Sequence, residues 1–109
     1  MAYDEALAQR VRMTLGSRPD VVEMKMFGGV AFMVRDHMAC GIVGEDLMVR
    51  VGPEAHPGAL AEPHVRPMDF SGRPMRGYVY VGPDALAADA DLARWVERGV
   101  DFALALPPK

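Results

Sequence analysis

The chain has 109 residues, 50% of them apolar and 25% charged, which is ordinary globular usage and describes one domain with a modest core. Its 12 basic and 15 acidic side chains leave a formal charge of -3 and a pI near 5.5, so no global field draws it to DNA, RNA or an anionic membrane, and direct nucleic-acid binding is not expected. One cysteine excludes an internal disulfide and suits a reducing cytoplasm.

The first sixteen residues carry Asp4, Glu5, Arg10 and Arg12 and have no apolar core, unlike a signal peptide, and no apolar run approaches the roughly 20 residues that span a bilayer. Tyr3, Leu7, Val11 and Leu15 recur every fourth residue, which predicts an amphipathic helix. Acids lead and arginines follow, as the helix dipole prefers, and Gly16 supplies the left-handed turn that ends it before Pro19.

Four β-rich runs come next: Glu23 to Phe27, Val30 to Val34, Met38 to Val43 and Leu47 to Val51. The breaks at Gly28-Gly29, Arg35-Asp36-His37 and Gly44-Glu45-Asp46 are short, so neighbouring strands pair antiparallel as a meander. Leu47, Val49 and Val51 alternate with Met48 and Arg50, giving one core face and one wetter face. Val30 to Val34 is apolar on both faces, which marks a central strand or a sheet whose second face meets a partner.

Gly52, Pro53, Pro57 and Gly58 allow only a short helix before Leu60, and Glu62 to Pro67 reads as a proline-bounded loop. Val65 to Phe70 and Met75 to Val81 form a second hairpin around Ser71-Gly72-Arg73-Pro74. Beyond Gly82-Pro83, any of Asp84, Asp89 and Asp91 can cap a helix whose stripe is Leu92, Trp95, Val96, Gly99, Phe102, Ala103 and Leu106, ended by Pro107 and Pro108. Residues 1–109 show no repeat or linker and are expected to fold as one unit. Strand runs flanked by helices argue for a two-layer α+β domain, an antiparallel sheet with helices on one face and the other face open.

Several residues invite chemical readings. Gly28-Gly29 lacks the further glycines, lysine and helix of a phosphate-binding loop and reads as a tight turn whose glycines supply positive φ. Cys40 has no cationic sequence neighbour, and His37 three residues away does not make it a nucleophile, so it reads as a small buried hydrophobe. His37, His56 and His64 lack zinc-ligand spacing, and the nine methionines read as core filler before Cu(I) ligands. Arg66, Arg73 and Arg76 cluster on the second hairpin, either as a site for a phosphate or carboxylate or as a solvated rim paired with acids. Tyr78 and Tyr80 share a face with Arg76, compatible with base stacking and equally with sheet packing. No catalytic triad, carboxylate pair or redox motif stands out, and neither a cofactor nor a metal is called for.

The segment Lys25-Met26-Phe27-Gly28-Gly29-Val30-Ala31-Phe32-Met33, followed in order by Met38, Gly41, Asp46-Leu47, Arg50-Val51, Gly72-Arg73-Pro74-Met75, Gly77, Leu92, Trp95 and Leu106-Pro107, resembles the TfoX/Sxy N-terminal-domain family, with Met26, Phe27, Gly28 and Gly29 as its hallmark turn. The resemblance implies a two-layer domain of order α-β(3)-α-β(2)-α. Longer relatives carry a further helical domain and regulate natural competence, cooperating with the cyclic-AMP receptor protein at promoters. The strand apolar on both faces, together with this resemblance, points to a non-enzymatic regulatory or protein-interaction module whose partner is another protein, the transcription machinery or a second copy forming a homodimer. The hairpin arginines leave a small-anion or nucleotide-binding domain as the alternative.

Overall fold

The computed structural model describes residues 3–16, 20–26, 28–70 and 73–107, without the side chains of residues 26, 69, 70 and 73–75. Helix α1 spans Glu5–Leu15. It begins where the Asp4 carboxylate accepts a hydrogen bond from the Leu7 N–H at 3.1 Å, and ends at Gly16 with φ +64°. The buried stripe is Leu7, Ala8, Val11 and Leu15. Tyr3 precedes the helix and forms a parallel bridge with Gly44.

Strands β1 (Val21–Met26), β2 (Gly29–Val34), β3 (His37–Val43) and β4 (Asp46–Arg50) follow as a meander. Then come α2 (His56–Leu60), β5 (Val65–Phe70), β6 (Arg73–Val81), a 3-10 turn over Pro83–Leu86, and α3 (Asp89–Ala105). All six strands join one antiparallel sheet in the order β1-β2-β3-β4-β6-β5. The α+β class and the antiparallel sheet are those read from the sequence. Four strands precede α2, one more than the family order implies, and each matches one of the four runs. The second hairpin is tighter than expected, because β6 begins at Arg73 and not at Met75.

Register assigns the faces. Phe32 lies opposite Cys40, Cys40 opposite Val49, and Val49 opposite Val79, so all four point the same way, as do Val30, Ile42, Leu47 and Val81. These residues form one buried cluster with Leu7, Val11 and Leu15 of α1, Ala59 of α2, and Leu92, Trp95, Val96, Val100 and Ala103 of α3. The helices therefore share one side of the sheet, α3 across β3 and β4, α2 against β5 and β6, and α1 beside α3. A bulge where Phe32 and Met33 meet β3 places both Ala39 and Cys40 in that core.

Two glycines set how closely the layers and strands approach. A Cβ at Gly99 would stand 2.3 Å from the Ala39 carbonyl oxygen, so α3 rests on the β3 backbone there. A Cβ at Gly29 would stand 2.0 Å from the Ile42 carbonyl oxygen. Of the Gly28-Gly29 pair only Gly28 has positive φ, at +73°; Gly29 is needed for the close approach of β3, which corrects the expectation that both serve the turn conformation. Nor does an aspartate cap α3: Ala88 is the N-cap without a side-chain bond, and Asp89 and Asp91 face the dipole from the first turn.

Candidate functional site

Alternation turns Val22 and Met24 of β1, Ala31 and Met33 of β2, Gly41 of β3, Met48 of β4, and Tyr78 and Tyr80 of β6 to the side away from the helices. Among the described residues no helix packs on this side. It is nevertheless partly self-covered. Met48 is 1% exposed and lies across Gly41, where a Cβ would meet its Cε at 2.7 Å, so a long side chain is buried in the space a glycine leaves. Towards β1 the cover ends: Val22 is 58% and Met24 47% exposed, while Met33, Tyr78 and Tyr80 are half-buried. The result is an apolar strip rimmed by charge, the kind of surface on which a partner gains most from excluding water.

The rim at the opposite side holds the arginines singled out by the sequence. Arg66, on β5, forms an ion pair with Asp46 and stacks over the Tyr80 ring at 5.4 Å. Arg76 is exposed on β6, about 13 Å along the strand from Tyr80, the residue opposite Arg66. Arg73 pairs through its backbone with Phe70, and its side chain lies outside the described residues, as do Ser71 and Gly72. Arg50, not singled out from sequence, has its guanidinium 5.4 Å from the Tyr78 ring and 5.3 Å from that of Phe102. In the family turn, Phe27 and the Met26 side chain also lie outside the described residues.

Cys40 is fully buried, and burial pushes its thiol up to about 12, far from a reactive thiolate. The His37 ring is engaged elsewhere, its Nε2 donating to the Pro107 carbonyl at 2.7 Å. Among the described residues no three His, Cys, Asp or Glu side chains are grouped to hold a metal. Among the same residues no helix is long and apolar enough to cross a membrane.

Two ion-pair hubs fix the helices. Arg12 donates to Glu5 at 2.8 Å and to Glu23 of β1 at 3.0 Å, tying α1 to the edge strand. The hydrogen bond from Arg12 holds the Glu5 carboxyl below its ordinary value. At Glu62, burial alone would raise the carboxyl, but hydrogen bonds from Arg98 at 2.7 Å and Arg94 at 3.2 Å outweigh it and hold the value low. Arg98 also stacks 4.4 Å from the Trp95 ring.

Among the described residues this is a small α+β module with a single helical layer and a sheet whose other face no helix covers. The profile of the TfoX N-terminal domain matches residues 13–103. The chain belongs to that family. No curated protein and no solved structure matches it.

Proposed function

We propose that the chain is a cytoplasmic, non-enzymatic regulatory module of the competence-regulator kind, acting by binding a protein of the transcription machinery through the open face of its sheet. The observation that carries this reading is the exposure of Val22 and Met24 beside half-buried Met33 on a face that, among the described residues, no helix covers. Family membership over residues 13–103 supports it. So does the burial of Cys40, which leaves the lone thiol without a nucleophile's surroundings.

The test is affinity capture from host extract with the wild-type chain and with Val22→Asp and Met24→Asp. Both positions are solvated, so the variants keep the wild-type circular dichroism and thermal midpoint within about 1 kcal/mol of stability. A transcription protein held by the wild type and lost by both variants is the expected result. Capture that is indifferent to these substitutions, or a captured set without any transcription protein, overturns the reading.

A further inference from the structure

The two edges of the sheet are built differently. Strand β5 carries Pro67, which has no amide to donate, and a bulge between Pro67 and Asp69, both of which discourage another strand from adding there. Strand β1 carries neither. It runs straight through six residues, Val22 to Lys25 are exposed, and among the described residues nothing pairs with its outer side.

Its sequence also selects a partner strand. The Arg35 N–H donates to the Asp20 carbonyl at 3.2 Å, so alternation turns the amides of Val22 and Met24 inward to β2 and those of Val21, Glu23 and Lys25 outward. An antiparallel copy of β1 must pair outward residues with outward residues. Centring the two-fold on Glu23 sets Glu23 against Glu23, and centring it on Lys25 sets Lys25 against Lys25. Centring it on Met24 sets each Glu23 against the other copy's Lys25, twice, with Met24 beside its own counterpart on the apolar side. Of these registers only the last matches opposite charges and joins apolar surface to apolar surface. Arg12 of α1 holds the Glu23 carboxylate through both oxygens at 3.0 Å, fixing its place beside β1.

We propose that two copies of this chain join β1 to β1 about a two-fold axis at Met24, making one continuous sheet with all helices on the same side. Met24 lies both on the open face and at this seam, but the seam is made by the backbone edge of β1, which the functional reading above does not use, so this inference goes beyond it. A single strand seam buries less than the roughly 800 Å² per partner of a standard interface, so the dimer dissociates in the range of about 10 to 100 µM.

Sedimentation of the full chain from about 5 to about 500 µM, a span that brackets this range, reads the association. Lys25→Glu replaces both matched pairs by Glu–Glu contacts and weakens the dimer by at least about tenfold. Mixing it with Glu23→Lys restores association, because each unlike pair is then regenerated. A covalent readout does not depend on those charges. Met24→Cys places two thiols on Cα atoms about 4.5 Å apart, within disulfide range, so diamide cross-links the dimer through residue 24. Val22→Cys, whose counterpart lies about 13 Å away, does not cross-link, and buried Cys40 stays silent. A chain that stays monomeric at about 500 µM, a Lys25→Glu variant that associates like the wild type, or cross-linking at 22 in place of 24 overturns the proposal. A monomer that still captures its protein partner would overturn the dimer alone.

Discussion

Replacing Gly99 by alanine sets helix propensity against packing. In the middle of α3, alanine is favoured over glycine by about 1 kcal/mol. Against this, the new methyl would stand 2.3 Å from the Ala39 carbonyl oxygen, 3.0 Å from its carbon and 3.5 Å from Val49 Cγ1. The first two are backbone atoms of a strand held in place on both sides by β2 and β4, so α3 must retreat by roughly 1 Å to reach ordinary contact. That retreat loosens Trp95, Val96, Val100 and Ala103 together, and places the packing cost at the upper end of the usual range, about 3 kcal/mol. The net loss is about 2 kcal/mol, a fall of about 8 to 16 °C in the thermal midpoint by calorimetry or far-UV circular dichroism. Gly58→Ala supplies the contrast. It lies inside α2 with nothing within 4 Å of its Cβ position, so the same exchange stabilises by about 0.5 to 1 kcal/mol and raises the midpoint. A Gly99→Ala midpoint equal to or above wild type would refute the close seating of α3 on β3.

Gly29→Ala destabilises more than Gly28→Ala: the first meets the Ile42 carbonyl, about 3 kcal/mol, and the second only strains a left-handed φ, about 1 to 2 kcal/mol, as urea titration of the two variants will show. The depressed Glu62 carboxyl contributes stability that is present above its ordinary value of 4.5 and is lost as the pH falls through the lower folded value. Because its side chain is 32% exposed the contribution is at most about 1 kcal/mol; the midpoint gap between wild type and Glu62→Gln persists at neutral pH and closes as the pH falls below 4.5 and through the lower folded value, and a gap independent of pH would contradict the linkage. Cys40, raised from 9.0 to about 12, reacts with Ellman's reagent at least about a thousandfold more slowly in the native protein than after denaturation.

Elements whose cause is local were legible in the sequence. The stripe of α3, the four runs of the meander, Gly16 at the end of α1, and the short α2 all follow from spacing, turn residues and prolines within a few positions. What escaped depends on partners distant along the chain. Gly29 is fixed by a carbonyl on β3, Arg66 is paired with Asp46 twenty residues earlier, and Met48 is buried by the absence of a side chain at Gly41. The contrast between the two edges was not visible either: Pro67 reads as the end of a loop, and only the sheet order shows that it lies on one edge strand and that β1 is the other.

The strand order also separates the local pairings from the one that needs a long loop closure. Adjacent strands along the chain are adjacent in the sheet everywhere except at the β4–β6 seam, which closes over α2 and β5. Hairpins of this kind zip quickly, and one loop closure then unites the two halves. Because Trp95 is buried where α3 meets the sheet, the fluorescence of that sole indole reports the docking of this helix on the strands.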